Sequence, residues 1–593
     1  MSSLSAPLRR FACAFIIWPV LALAQNVTVT VNAGNTVRTV DERVFGINAV
    51  IWDPEAGSSQ TINLLSQAGL RTIRVPGGSL SDEYHWRLNR SLDRANPPQN
   101  NTWSWASGFD KFAGLITGLN AQAFVTVNYG SGTPEEAAAW VAYANFGASS
   151  STNNPASVTI GTDASGYDWQ TAVTWGNLRA ASPLATDDGM NFLRVGRVAP
   201  YGIKYWEVGN ENYGPWETDL QAAKNDPTTY ANRAKDYIAK MKAVDPTIKV
   251  GVVVVTTREN ASYKNWTPVM LSRLKALGVT PDFVIYHRYE QAPAKDQPNN
   301  PESDAALLQK AKTWPDDAAN LRQQLVDNLG ATEAAKVEIV VTENNSVYSN
   351  PGKQTTSLVN GLFLADSVGN ILQTEINGLM WWDTRNGTDF TNNNSTSLYG
   401  WRTWGDYGVL STPAAGGPTT YFEPYPTYYA MKLLSKFARH GDTVVQATSN
   451  SSLLSVFAVK PLAGDLKLLV INKDPANSLT ASITVNGFSP AASASVSSYG
   501  KPQDDAAKPG GGGSTDLASS TVTAGTTFTV SFASYSMSVV TLTQSLSNPA
   551  PTPVPPAPAP SAGGGGGGGG APSWWFAGAL AVLALVRRAQ ARR

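Results

Sequence analysis

Between about residues 43 and 440, eight short apolar runs alternate with longer amphipathic stretches. The runs are VFGINAVIW (44–52), RTIRVPGG (71–78), QAFVTVNYG (122–130), IKYWEVGNE (203–211), IKVGVVVV (248–255), DFVIYHRY (282–289), VEIVVTEN (337–344) and INGLMWWD (376–383). Each is β-branched or aromatic and nearly continuous in its hydrophobicity, as strands buried on both faces should be. The stretches between them carry helix signals. TPEEAAAWVAYAN opens with Thr133 as a cap, Pro134 in the first turn and two acids favoured by the helix dipole. SQTINLLSQAGL ends at Gly69, a C-cap glycine. Eight β-then-α alternations predict an α/β fold, a (β/α)8 barrel over residues 43–440.

After about residue 440 the pattern changes to alternating strands with turn residues between them, such as LLSVFAVKP and LKLLVINKD. Residues 441–547 therefore read as a β-sandwich. The opening NVTVTVNAGNTVRTV is also strand-like, so residues 25–42 are expected to join that sandwich from the N-terminal side.

Both ends read as addressing signals. Arg9 and Arg10 precede an apolar run that ends in Ala22-Leu23-Ala24, which predicts a signal peptide over residues 1–24 and export. The one cysteine, Cys13, lies inside it, so the mature chain is expected to hold no disulfide. Residues 548–570 form a Pro/Ala/Gly-rich linker, and 571–593 an apolar segment followed by arginines. This layout resembles bacterial glycine-glycine sorting signals, which a membrane-embedded rhomboid-type protease is expected to cut. A plain tail anchor is the alternative. The expected location is secreted or cell-surface, with transient anchoring by the tail. Lysine and arginine balance aspartate and glutamate at 45 each, and no basic stripe points to nucleic acid.

Active residues of such a barrel sit where its strands end. The fourth run ends Gly209-Asn210-Glu211 and the seventh Thr342-Glu343-Asn344, so each presents a carboxylate at the mouth. Two carboxylates about 5 Å apart are what a retaining glycosidase requires, one protonated and one ionised. Glu207 and Glu211 share one strand face, but Glu207 lies roughly 13 Å lower and reads as a buried acid paired with a barrel cation. Glu217, beyond the strand with Tyr213 and Trp216, reads as a rim or solvent residue. His85 reads as rim or core, and His440 is assigned nothing. Three scattered histidines make no metal set, and no cofactor is expected.

KYWEVGNENYGPWE, RVPGG, NYGSGTPEEAAAWVAYAN and DFVIYHRY together resemble family 51 α-L-arabinofuranosidases, in the large clan of retaining glycoside hydrolases on (β/α)8 barrels. The resemblance implies Glu211 as acid/base and Glu343 as nucleophile. It implies that Asn210 bonds a sugar 2-hydroxyl, that Tyr289 orients Glu343, and that Arg74 is a cation near the carboxylates. Asn128 and Trp382 end strands three and eight at the mouth, Trp382 as a sugar platform. His287 is expected to be a structural hydrogen-bonder. Two departures stand out: Ser79 replaces the family's Asn after Pro-Gly-Gly, and Asn344 replaces the Trp after the nucleophile. Both are expected in the substrate pocket, where they put the arabinofuranose preference in doubt. The loop 147–200, with Trp169 and Trp175, is expected to deepen the cleft. The expected partner is a plant-type poly- or oligosaccharide. The rivals are a β-specific clan member, such as an endoglucanase or β-xylosidase, and a non-catalytic carbohydrate-binding or structural surface protein. Oligomeric state is not readable from the chain.

Overall fold

A computed structural model describes residues 27–92, 100–102, 106–149 and 157–545. The predicted signal peptide, the linker and the tail segment lie outside these residues. Among those described, no helix is long and apolar enough to cross a membrane.

Eight parallel strands close into a barrel. In chain order they are Gly46–Asn48, Thr72–Val75, Gln122–Val127, Tyr205–Val208, Lys249–Val253, Phe283–Gln291, Glu338–Val347 and Gly378–Trp381. Each starts within one of the eight apolar runs, and strands six and seven continue past the ends of theirs. Strands six and seven are the longest, so their ends project furthest into the mouth. Their register sets His287 beside Glu343, after an irregularity between Tyr286 and His287. The helix Pro134–Asn145 starts as its sequence dictates, with the Thr133 hydroxyl accepting from the Glu136 amide. The helix Ser59–Gln67 is followed by Gly69 at φ +76°, where a Cβ would collide with Ser435.

Nine further strands make one continuous sheet, whose two edge strands curl round to meet. Strand Val27–Thr39 lies inside this sheet, antiparallel to Thr443–Ser449 and parallel to Leu479–Asn486. Its buried residues Val27, Val29 and Val31 alternate with more exposed ones and face a core shared with Ile483 and Leu468. Sandwich and barrel are cemented by buried pairs, Lys473–Asp366 at 3.0 Å and Arg402–Asp504 at 2.9 Å. Tyr429 stacks on Tyr499 across the same junction.

Candidate active site

Strand four stops at Val208, and the chain turns sharply. Gly209 takes φ +74°, where any Cβ would lie 2.0 Å from Asn212 Oδ1. Glu211 itself has φ +41°, a left-handed conformation that costs a non-glycine residue on the order of 1–3 kcal/mol. The surroundings hold it there. The Gly214 amide donates to the Glu211 carbonyl at 2.7 Å. Buried Asp82 accepts from the Asn210 amide at 3.1 Å and from Asn212 Nδ2 at 2.7 Å, and also from the amides of Tyr129 and Gly130. Asp82 thus ties the ends of strands three and four together, although its sequence setting gives no such signal.

Glu343 stands on strand seven and is 4% exposed. Arg74 Nη1 donates to its Oε1 at 2.8 Å and the Tyr289 hydroxyl to its Oε2 at 2.7 Å. Arg74 is wholly buried and spends its other donors on Glu207 (2.7 Å), Asn48 (3.0 Å) and Asn210 (2.8 Å). Burial opposes its charge, but Glu207 and Glu343 outweigh that and raise its proton affinity further. Glu207 is the deep acid paired with that cation.

Glu211, His287 and Glu343 present atoms that all lie within 4.8 Å of one another. His287 Nδ1 is 2.9 Å from Glu211 Oε1 and 3.5 Å from Glu343 Oε2, while its Nε2 meets Thr342 Oγ1 at 2.9 Å. Burial pushes the Glu211 carboxyl up, but hydrogen bonds from His287, Trp216 and Tyr213 outweigh it and hold the group below the usual range. These three side chains are the one ligand-type cluster among the described residues. Of the three, Glu343 accepts from Arg74.

The carboxylates open into a cavity of about 670 Å³. Trp382 lines it, and Gly78, at φ +68°, makes room for that ring: a Cβ there would lie 2.5 Å from Trp382. Asn210, His287, Tyr289 and Ser79 also line it.

Several expectations change. Asn128 does not reach the cavity: its amide is spent on the turn that follows, with Ser131 and Gly132, and on the Tyr84 carbonyl. Asn344 lies outside the pocket, fully buried and bonded to the Arg288 carbonyl, because alternation along the strand turns it away when Glu343 faces in. Glu217 is not a rim residue. It is 6% exposed, and its Oε1 accepts from Ser79 Oγ at 2.7 Å and Asn210 Nδ2 at 3.0 Å. Burial, with Asp82 and Glu211 nearby, pushes its carboxyl well up. Trp169 and Trp175 do not line the cavity; they pack on each other, Trp175 also meets Trp86, and both join the main barrel core. His85 pairs with Glu136 at 3.0 Å, and His440 is exposed in the turn after the last barrel helix. Sequence reasoning missed Trp216, Tyr263 and Tyr348, which line the outer wall of the cavity from three separate loops and share no motif.

A family model described as the α-L-arabinofuranosidase 1 domain matches residues 64–300. The probable α-L-arabinofuranosidase C of Aspergillus clavatus is 28% identical over 208 residues, which are 33% of this chain and 32% of that one. The chain thus spans about a third of the length of this curated relative. Among solved structures, the family 51 α-L-arabinofuranosidase of Thermotoga petrophila shares the fold with a TM-score of 0.62 at 18% identity, over 87% of this chain and 100% of that one. A family 44 xyloglucanase of Paenibacillus polymyxa shares it with a TM-score of 0.57 at 15% identity, over 88% and 100%.

Proposed function

We propose that this chain, close to family 51 among the (β/α)8-barrel glycoside hydrolases, is a retaining α-L-arabinofuranosidase acting on plant-type polysaccharide or its fragments. One observation carries the reading: two strand-end glutamates present carboxylate oxygens within 4.8 Å of one another in unlike surroundings. That spacing suits direct attack on the sugar and is shorter than the about 6.5–9.5 Å with which inverting enzymes seat a water beside the sugar.

The surroundings divide the roles. Glu343 faces a buried guanidinium and a phenol that donates to it, which fix its carboxylate in place as the nucleophile. It attacks the anomeric carbon and forms a covalent glycosyl-enzyme, while Glu211 gives its proton to the departing oxygen. Glu211 then takes a proton from water, which attacks the same carbon and restores the original configuration. His287, bonded to Glu211, is placed to share that proton. Asn210, fixed by Arg74 and Glu217, offers its remaining amide hydrogen to a sugar hydroxyl, and Trp382 is the apolar floor. We also read the chain as exported, on the strength of its N-terminal pattern.

A second reading keeps the mechanism and changes the sugar. Ser79, bonded to Glu217, stands in the cavity wall where the family carries Asn. This favours a β-specific clan member as the alternative. The test is a panel of 4-nitrophenyl glycosides with Glu343→Ala as the blank. Release from the α-L-arabinofuranoside is the expected outcome. Release from a β-xyloside or β-glucoside instead would move the substrate, and binding of polysaccharide without any turnover would refute an enzymatic role.

A further inference from the structure

An acid catalyst must point an O–H at the departing oxygen, yet neither carboxylate oxygen of Glu211 is free. Its Oε1 meets His287 Nδ1 at 2.9 Å and the Tyr213 hydroxyl at 3.1 Å. Its Oε2 accepts from Trp216 Nε1 at 2.8 Å. His287 and Tyr213 are 6% and 8% exposed, locked in place by packing. Trp216 is 45% exposed, the one partner able to leave. Its ring lies across Gly214, where a Cβ would come within 2.3 Å, and it meets Tyr213 and Tyr263 only edge-on, at 6.0 Å each. It also lines the outer wall of the cavity with Tyr263 and with Tyr348, which is 51% exposed. Exposed rings at such a wall are where the apolar face of a sugar stacks, and an indole N–H can donate to a sugar hydroxyl once stacking draws the ring towards it.

We propose that Trp216 couples substrate binding to proton loading: its N–H holds Glu211 as the carboxylate until the sugar on the leaving side seats on the indole and draws that N–H away. Oε2, freed of that donor, then takes a proton from solvent water and carries it to the glycosidic oxygen. The inference rests on Glu211 as the acid/base of the proposed reaction. It adds a leaving-side sugar subsite on Trp216 and a reason for Glu211 to be ionised before substrate arrives.

The other groups around Glu211 leave the direction clear. Tyr213 and Glu217 face it from its own loop, His287 and Tyr289 from strand six, and Glu343 from strand seven with Arg74 behind. Tyr263 and Glu259 come from the loop after strand five. The carboxylates among them and the burial favour the protonated form; the donors favour the ionised one. Removing one donor therefore raises the proton affinity.

Trp216→Phe removes the N–H and keeps a ring for stacking. The measurement is the pH dependence of kcat/KM and of kcat on an α-linked arabinofuranosyl trisaccharide, or on the matching trisaccharide if the panel favours a β-glycoside. The leaving group must be an unactivated sugar, which needs the acid. The alkaline limb of kcat/KM reports the free enzyme, and that of kcat the complex. In Trp216→Phe the kcat/KM limb is expected to rise by about one pH unit, a tenfold change in proton affinity. The kcat limb is expected to stay, because substrate has already displaced the N–H in the parent. Movement of both limbs, or of neither, would overturn the proposal. Glu211→Ala guards the premise: if its alkaline limb survives unchanged, Glu211 is not the acid, and the functional reading fails rather than the coupling. Near-ultraviolet circular dichroism of Trp216→Phe confirms an intact fold before the profiles are compared.

Discussion

Arg74 performs two tasks that substitution can separate. It neutralises Glu207 in the barrel interior and it donates to Glu343 at the mouth. In Arg74→Met, Glu207 keeps only the Thr126 hydroxyl, at 3.1 Å, as a partner in a fully buried site. Breaking a buried pair by removing one member costs about 3–5 kcal/mol. Replacing both members with apolar side chains of similar size is near neutral for the pair itself, so Arg74→Met/Glu207→Leu is expected to be more stable than Arg74→Met alone. What is not regained reflects Glu343 and the Asn48 and Asn210 oxygens, all left without their donor. Catalysis does not return with stability. The Glu343 anion loses a charge-assisted hydrogen bond worth on the order of 1.5–3 kcal/mol. kcat is therefore expected to fall by about tenfold or more in both variants, since about 1.36 kcal/mol of lost transition-state stabilisation is a factor of ten in rate. Urea unfolding followed by tryptophan fluorescence gives the first quantity, and kcat on the active 4-nitrophenyl glycoside the second. A stable single variant would refute the buried-pair argument. A double variant that is stable and keeps the parent kcat would refute any role of Arg74 towards Glu343.

Glu343→Ala is expected to abolish turnover on every substrate. Glu211→Ala keeps the first step for aryl glycosides with good leaving groups and slows the second; azide restores turnover with retained configuration, and inversion on chiral analysis of the azide product would mean the roles are exchanged. Burial, with Asp82 and Glu211 nearby, pushes the Glu217 carboxyl well up, so the isosteric Glu217→Gln is expected to change stability by no more than about 0.5 kcal/mol, within the range of an ordinary tolerated substitution. Glu217→Ala, which strips Asn210 and Ser79 of their acceptor, costs about 1–3 kcal/mol and raises KM; calorimetry and kinetics on both variants check this. Burial lowers the proton affinity of His85, but Glu136 outweighs it and raises it above the usual value. The pair therefore stabilises the fold fully below about pH 6.5 and loses its contribution as pH rises through the raised value. The gap in Tm between parent and His85→Gln should be wider at pH 5 than at pH 9, and the reverse order would refute this sign.

The strands were legible because a buried strand announces itself locally, by a few consecutive apolar residues and the turn that ends them. Glu211 and Glu343 were legible for the same reason, since each closes a run. Asn344 was decidable by the same rule: a strand that turns Glu343 inward turns its neighbour outward, and the motif comparison overrode that alternation. Glu217 was not decidable. Its burial depends on a loop folding back onto Ser79, 138 positions away, and no local pattern encodes that return. The reach of Arg74 to Glu207, Asn48, Asn210 and Glu343 is likewise a property of barrel closure. Trp169 and Trp175 are buried because their segment folds back onto the main core, where Trp175 meets Trp86, far earlier in the chain, and nothing local encodes that contact.

The strand Val27–Thr39 has its hydrogen-bond partners at the far end of the chain; Asn32, for one, meets Asn486, 454 positions later. At about 5–20 residues per second of synthesis, this apolar segment waits on the order of 20–90 s for its neighbours to be made. Throughout that interval Val27, Val29 and Val31 are an open strand edge, free to pair wrongly. The barrel must take shape inside a loop that has not yet closed. Yield of soluble protein should therefore depend on what shields the first strand in the cell more than on the stability of the finished fold.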